Sequence, residues 1–180
     1  MHICERLRIL GVDFDGGFAD FVVIPERNAW EVDPRIPADV ASIHDPFGNA
    51  VHTIFKDGGA DDVVASTVVV LGCGPIGLFA VGVARAAGAR QVVAVEPNEF
   101  RRGIAKQMGA DVVIDPGVED PVEAVRAATG GHGPEVVVEM SGVPAVIEQG
   151  TRMLGGGGRM ALLGLPDEPV TLDIAEQVIF

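Results

Sequence analysis

From residue 67 to residue 165 the chain alternates between short apolar runs and longer segments with helical spacing. The apolar runs predict five strands, at Thr67–Leu71, Gln91–Glu96, Val112–Ile114, Glu135–Glu139 and Arg159–Leu163. The segments between them predict helices at Ile76–Ala87, Glu99–Met108, Pro121–Ala128 and Ala145–Leu154. The glycines expected at C-terminal caps are Gly88, Gly109 and Gly130. This alternation indicates a parallel sheet with helices on both faces.

Such a pattern predicts an α/β fold of the Rossmann type, a doubly wound parallel sheet whose six strands take the order 3-2-1-4-5-6. The chain supplies five of the six strands, because residues 170–180 do not continue the pattern. Leu172–Ala175 predicts only the start of a helical turn, and Gly155–Gly158 predicts a tight turn rather than a linker.

Before residue 67 the pattern is different. Phe18–Ile24 is a short, mostly apolar run that follows a turn signal and predicts a strand. Ala41–Phe55 has helical spacing, and Pro46 and Gly48 are expected to kink its middle. We therefore expect three parts, namely residues 1–40, a connecting helix and linker at 41–66, and an α/β domain at 67–180 that ends before its last strand.

Composition and charge narrow the class of protein. The formal net charge is −13, which repels phosphate backbones, so we expect no nucleic-acid partner. No apolar run is long enough to span a bilayer, and the first residues do not resemble a signal peptide, so we expect no membrane partner. The chain contains 2 cysteines, too few for a disulfide framework, which favours a cytoplasmic protein.

The turn after the first predicted strand carries the clearest chemical signal. Gly72-Cys73-Gly74-Pro75-Ile76-Gly77 is a G-x-G-x-x-G motif that follows a strand and opens a helix. Gly72 permits the tight turn, Gly74 lets a pyrophosphate approach the backbone, and Gly77 allows close helix–strand packing. The helix N-terminus attracts phosphates. The motif predicts a dinucleotide site, and the alternative is an ordinary turn that uses glycine for its geometry.

Glu96 ends the second predicted strand, where a carboxylate can accept both hydroxyls of the adenosine ribose and repel a 2′-phosphate. It therefore predicts NAD rather than NADP as the cofactor. Arg101 lies in reach of the adenine or ribose, although it is equally interpreted as a solvated charge paired with Glu96. Arg102 is expected to be exposed.

Two later turns follow strands on the side where open α/β sheets bind ligands. Ser141-Gly142 follows the fourth predicted strand, and Leu163-Gly164-Leu165 follows the fifth. We expect the second of these turns to line the nicotinamide half of the site. The alternative for both is a turn with no contact to a ligand.

Six segments together resemble a known family: Gly16–Pro25, Asn28–Trp30, Asp45–Thr53, Gly72–Gly77, Glu96–Arg102 and Leu162–Pro166. They are similar to the zinc-dependent medium-chain alcohol dehydrogenases, and the resemblance covers essentially all of the chain. Within that family the stretch Gly48–Thr53 favours the L-threonine 3-dehydrogenases over the sorbitol and alcohol dehydrogenases.

The resemblance implies roles for particular residues. It implies an NAD site formed by Ile76, Glu96, Arg101 and Leu163-Gly164-Leu165, a part for Asp45 in proton relay beside a catalytic zinc, and Cys4 as the last of four cysteines around a structural zinc. It also implies that residues 1–40 are a remnant of a GroES-like catalytic domain.

The activity implied by the resemblance is oxidation of L-threonine to 2-amino-3-oxobutanoate with NAD⁺ in a homotetrameric zinc enzyme. On this interpretation the chain is an internal fragment, which we expect to be inactive alone and to hold zinc incompletely or not at all. Two alternatives are another medium-chain polyol or alcohol dehydrogenase and a nucleotide-binding module without catalytic activity.

Overall fold

The computed structural model describes residues 5–55 and 61–179. It divides into two compact units, Met1–Ala41 and Ser42–Phe180. The strands of the second unit are β1 (Thr67–Leu71), β2 (Gln91–Val95), β3 (Val112–Ile114), β4 (Val136–Glu139) and β5 (Arg159–Leu162). The α-helices of the described chain are α1 (Ala38–Ala41), α2 (His44–Phe55), α3 (Pro75–Ala86), α4 (Glu99–Gln107), α5 (Pro121–Ala128) and α6 (Pro144–Met153). From β1 to β5 the predicted elements are confirmed to within one residue at each end.

The five strands form one parallel sheet in the order β3-β2-β1-β4-β5. Central strand β1 pairs on one side with β2, where Val68 lies opposite Val92, and on the other with β4, where Val68 lies opposite Val136. Over the described residues this is the predicted doubly wound order with five strands, so the α/β fold class is confirmed.

The core of this unit consists of two apolar layers, one on each face of the sheet. Val68 and Val70 of β1 face the layer that includes α2, α3 and α4, whereas Val69 and Leu71 face the layer that includes α5 and α6. Successive side chains of a strand point to opposite faces, so an unbroken apolar run is what a strand covered on both faces requires. All five residues of β1 are buried.

Local signals set the helix ends. The side chain of Asp120 accepts hydrogen bonds from two main-chain N–H groups in the first turn of α5, and that of Asn98 accepts one from α4. Gly88, Gly109 and Gly130 have φ angles of 90°, 110° and 64°, which confirms the predicted caps. The predicted turn at Gly155–Gly158 also forms.

The predicted kinked helix at Ala41–Phe55 is wrong. The segment contains the end of α1, a turn, and then α2, and Pro46 lies in the first turn of α2. A proline there breaks no helical hydrogen bond, because the first N–H groups of a helix have no partner within the helix. Pro46 therefore lies at the start of α2 and does not interrupt the middle of a helix.

The predicted strand at Phe18–Ile24 is also wrong, because these residues form bends and extended backbone without strand pairing. Within residues 5–41 the one bridging pair is Leu10 with Phe14. A strand is stable only when a neighbouring backbone completes its hydrogen bonds. Phe18, Phe21 and Trp30 are exposed.

The edge strand β5 generates a prediction about self-association. Leu162 is 58% exposed at this edge, and unprotected apolar edges pair with other chains. We expect the protein to self-associate at tens of micromolar and Leu162→Lys to weaken that association in sedimentation equilibrium. Val64→Lys is the matched control, since Val64 is 53% exposed but precedes the central strand. A monomeric wild type, or equal effects of both substitutions, would contradict the prediction.

Candidate cofactor site at the carboxyl edge of the sheet

The carboxyl ends of four strands meet at one edge of the sheet. Leu71 at the end of β1 lies opposite Val95 of β2 and Glu139 of β4, and Glu139 lies opposite Leu162 of β5. The strand order reverses direction between β1 and β4, and such a switch point opens a crevice at this edge. The predicted site residues that follow β1, β2, β4 and β5 therefore lie along one side of the sheet.

The turn after β1 requires glycine at two positions for steric reasons. Gly72 has a φ of 88°, and a Cβ there would lie 3.0 Å from the Cβ of Ser141. A Cβ on Gly77 would overlap the carbonyl oxygen of Gly72. The absence of both side chains lets α3 begin directly against the end of β1.

Gly74 leaves space in front of the N-terminus of α3. Its φ and ψ are −66° and −175°, and a Cβ built on it would meet nothing within 4 Å. No side chain caps α3, and Pro75 occupies its first turn without an N–H group. The main-chain N–H groups of Ile76 and Gly77 belong to the first turn, where helices have unpaired donors and a partial positive charge. The arrangement suits a phosphate.

Glu96 lies against this turn and is 3% exposed. Its Oε2 accepts a hydrogen bond from the N–H of Cys73 at 2.7 Å, and its Oε1 accepts one from the N–H of Asn98 at 2.9 Å. Nη1 of Arg101 lies 3.8 Å from Oε1, and the Arg101 side chain is exposed. The structure thus brings Glu96, Arg101 and the glycine turn together, with carboxylate lone pairs left for further donors.

Cys73 is buried in the middle of the glycine turn. Burial raises the pKa of its thiol to about 12, and the nearby negative charge of Glu96 adds to the effect. The thiol is therefore neutral at physiological pH and acts as a small apolar side chain.

Arg102 was predicted to be exposed, and this is wrong. Its Nη1 donates hydrogen bonds to the main-chain carbonyl oxygens of Glu96 at 2.8 Å and Pro97 at 2.6 Å. Its Nη2 lies 2.8 Å from Oδ2 of Asp115. The side chain lies over the loop after β2, because the first turn of α4 brings it close to these carbonyls. Arg102 consequently holds the main chain around Glu96.

The turns after β4 and β5 pack against each other. Gly142 has a φ of 71°, and a Cβ there would lie 2.8 Å from the carbonyl oxygen of Leu165. A Cβ on Gly164 would overlap the N–H of Gly142. Leu163 is half-buried and Leu165 is exposed. The structure therefore brings the two predicted turns together on the other side of β1 from Glu96.

Glu139 is a residue of this edge that the sequence reasoning missed. Its side chain is 0% exposed. Oε1 accepts hydrogen bonds from the N–H of Ser141 at 2.7 Å, from the N–H of Gly142 at 3.1 Å, and from the Ser141 hydroxyl. Its signal in the sequence is the one that identified Glu96, an acidic residue at the end of an apolar strand.

Asp45 lies exposed in the first turn of α2. The side-chain amide of Asn49 donates hydrogen bonds to the carbonyl oxygen of Asp45 at 3.1 Å and to its Oδ2 at 3.4 Å. Helix α2 packs on α3 through an edge-to-face contact between Phe47 and Phe79, whose ring centroids are 5.6 Å apart. The hydrogen bonds described for Asp45 are thus to Asn49 of its own helix and not to residues of the carboxyl edge.

The predicted zinc ligand Cys4 lies outside the described residues. Within residues 5–55 and 61–179 no three or more His, Cys, Asp or Glu side chains are grouped so as to hold a metal ion. The described residues therefore do not assemble a zinc site. Among the helices of the same ranges, none has the length and apolar character needed to cross a membrane.

A cavity of about 700 Å³ lies beside α5 and α6, next to the turn Gly155–Gly158 that precedes β5. Its lining includes charged groups of both signs, and some of these are paired with each other. Arg152 lies 3.7 Å from Glu148, and Arg126 donates to the carbonyl oxygen of Arg152 at 2.8 Å. The carboxyl edge, with an uncapped helix N-terminus, is the better candidate for an anionic cofactor.

A family model described as zinc-binding dehydrogenase matches residues 75–180, more than half of the chain. The chain belongs to the zinc-binding dehydrogenase family. The resemblance recognised from the six sequence segments is thereby confirmed.

Curated relatives of this dehydrogenase chain agree on one name. The L-threonine 3-dehydrogenase of Symbiobacterium thermophilum is 50% identical over 178 residues, which are 99% of this chain and 50% of the relative. The L-threonine 3-dehydrogenase of Bacillus subtilis is 46% identical over 179 residues, again 99% of this chain and 50% of the relative. The chain thus spans about half the length of the curated relatives that it matches.

Solved structures with the same fold are zinc-type dehydrogenases. A protein of Sinorhizobium meliloti assigned as a zinc-binding dehydrogenase and bound to NADP matches with a TM-score of 0.88 and 32% identity, over 96% of this chain and 51% of that chain. The alcohol dehydrogenase TADH of Thermus sp. ATN1 matches with a TM-score of 0.77 and 27% identity, over 83% of this chain and 43% of that chain.

Gly77 and Gly74 differ in the space around them, and this difference gives a stability prediction. We expect Gly77→Ala to destabilise the dehydrogenase chain, because its Cβ would overlap the Gly72 carbonyl oxygen. Overpacking costs about 1–3 kcal/mol, or about 2–12 °C in melting temperature at this size. Gly74→Ala is the matched control, since its Cβ meets nothing within 4 Å. Calorimetry that gives both variants the same melting temperature would contradict the steric argument.

Proposed function

We propose that this chain forms the NAD-binding half of a zinc-type L-threonine 3-dehydrogenase, which oxidises L-threonine to 2-amino-3-oxobutanoate. The observation that carries the proposal is the uncapped N-terminus of α3, with open space at Gly74 and the Glu96 carboxylate against the same turn. The names of the curated relatives support L-threonine as the substrate. We also propose that residues 1–40 belong to a GroES-like domain and that the whole enzyme is a cytoplasmic homotetramer.

The proposal assigns the pyrophosphate of the cofactor to the turn Gly72–Gly77. The first-turn N–H groups of Ile76 and Gly77 donate to its oxygens, and the absence of a side chain at Gly74 lets it approach the backbone. The partial positive charge of the helix end adds electrostatic stabilisation without any lysine or arginine.

Glu96 accepts hydrogen bonds from the two hydroxyls of the adenosine ribose in this proposal, and Arg101 lies beside the adenine or ribose. The carboxylate repels a 2′-phosphate, which is why we propose NAD although the Sinorhizobium meliloti neighbour is bound to NADP. Its hydrogen bonds to Cys73 and Asn98 hold the Glu96 side chain against the turn before a ligand arrives.

The turn Leu163-Gly164-Leu165 lines the nicotinamide half of the proposed site. A nicotinamide bound there would supply the hydride acceptor for oxidation of the substrate's alcohol carbon. The half-buried Leu163 supplies apolar surface that excludes water from that face. We propose that Asp45 takes part in relaying the alcohol proton in the whole enzyme. The described residues do not fit a zinc site, so no step of this chain is assigned to a metal.

Cofactor choice tests the proposal directly. We expect the wild type to bind NAD⁺ more tightly than NADP⁺ in calorimetric titrations. Glu96→Gln should lose that preference and about 10- to 150-fold in NAD⁺ affinity, since a hydrogen bond to a charged group contributes about 1.5–3 kcal/mol. Glu99→Gln makes the same charge change in the exposed first turn of α4 and should bind like the wild type. Equal wild-type affinities for the two cofactors would refute the assignment.

The alternative is a nucleotide-binding module without catalysis, which the absence of a metal-ligand cluster from the described residues favours. We expect the purified chain to hold less than one zinc per molecule by plasma emission spectrometry and to produce no NADH from L-threonine and NAD⁺. Turnover together with one zinc per chain would overturn that expectation and make the chain a complete dehydrogenase.

A further inference from the structure

Glu139 is a buried carboxylate that the proposed cofactor contacts do not use. It is 0% exposed, and none of the ion pairs among the described residues includes it. A buried charge without hydrogen bonds is strongly unfavourable, so its donors must account for its presence. The hydrogen bonds described for the Glu139 carboxylate all come from Ser141 and Gly142, in the turn that follows β4.

The same residue also holds the neighbouring turn. The main-chain carbonyl oxygen of Glu139 accepts hydrogen bonds from the N–H groups of Leu163 at 3.0 Å and Gly164 at 3.2 Å. Gly164 lies so close that a Cβ there would overlap Oε2 of Glu139. Glu139 is therefore hydrogen-bonded to the turn after β4 through its side chain and to the turn after β5 through its backbone.

We propose that Glu139 is the positioning residue for the nicotinamide half of the cofactor, an inference that rests on the proposed function. It does not touch the ligand, because its carboxylate is covered by the Ser141-Gly142 turn. It sets the orientation of that turn and its distance from Gly164, and thereby the shape of the surface on this side of β1. The adenosine half, on the other side of β1, depends on Glu96 instead.

The proposal predicts a selective loss of affinity. In Glu139→Gln the side-chain NH₂ group cannot accept a hydrogen bond, so the amide has one acceptor atom where the carboxylate had two. With the amide oxygen at Oε1, the N–H of Gly142 loses its bond to Oε2, and the remaining bonds are weaker because the acceptor is no longer charged. The turn is then held less firmly. We expect NAD⁺ to bind at least about tenfold more weakly, whereas AMP, which occupies only the adenosine half, changes by less than about twofold.

The control is Glu135→Gln, the same substitution just before the start of the same strand. Glu135 is half-exposed, accepts a hydrogen bond from the N–H of Thr67 at 2.7 Å, and lies at the opposite edge of the sheet. We expect this variant to bind both NAD⁺ and AMP like the wild type. A second test variant, Ser141→Ala, removes the hydroxyl that donates to Glu139 and accepts from the N–H of Val143. It keeps both main-chain donors to Glu139, so it should fold and show a smaller loss of the same kind.

The experiment measures NAD⁺ and AMP affinities of the full 180-residue chain and its variants by calorimetry, with melting temperatures as a check on folding. Weaker NAD⁺ binding with unchanged AMP binding supports the inference. An equal loss for both ligands, or no loss for either, overturns it and leaves the proposed function intact. A wild type that binds neither ligand overturns the proposed function and this inference with it. Should Glu139→Gln not fold, Ser141→Ala decides, and unchanged NAD⁺ binding in that variant overturns the inference.

Discussion

The contact between the Cα of Gly77 and the carbonyl oxygen of Gly72 is the constraint on which the carboxyl edge depends. Any side chain at Gly77 would overlap that oxygen, so α3 can begin only against a bare backbone. The contact directs the N-terminus of α3 along the end of β1, between the turns that follow β2 and β4. Because Gly74 has no side chain, the uncapped N–H groups at the start of α3 face open space. This packing is what makes the edge suited to a phosphate.

Two buried carboxylates flank that central turn, and each organises one side of the edge. Glu96 accepts from the main chain at Cys73 and Asn98, and Glu139 accepts from the main chain at Ser141 and Gly142. Main-chain donors offset the cost of burying the charge, and they also fix the loops that supply them. A carboxylate with several acceptor sites can connect two or three backbone groups that a neutral side chain would leave unpaired.

The two compact units differ in how they bury apolar surface. In the second unit the sheet is covered on both faces by its own helices, with Val and Ala as the main core residues. In the first unit Phe18, Phe21 and Trp30 are exposed. Over residues 5–55 and 61–179, the buried apolar core therefore lies in the second unit.

The sequence by itself determined the order of strands and helices, the glycine turn and the place of Glu96, because each depends on local spacing and on the rules for parallel sheets. The strand predicted at Phe18–Ile24 does not form, because pairing needs a neighbouring backbone, and the pattern of apolar residues in one segment does not reveal whether one is present. Only the tertiary structure decided that Arg102 holds the carbonyl groups near Glu96 and that Glu139 joins the turns after β4 and β5. The contact of Arg102 with Asp115 and those of Glu139 with Leu163 and Gly164 join residues far apart in the chain, and such contacts exist only after the sheet has formed.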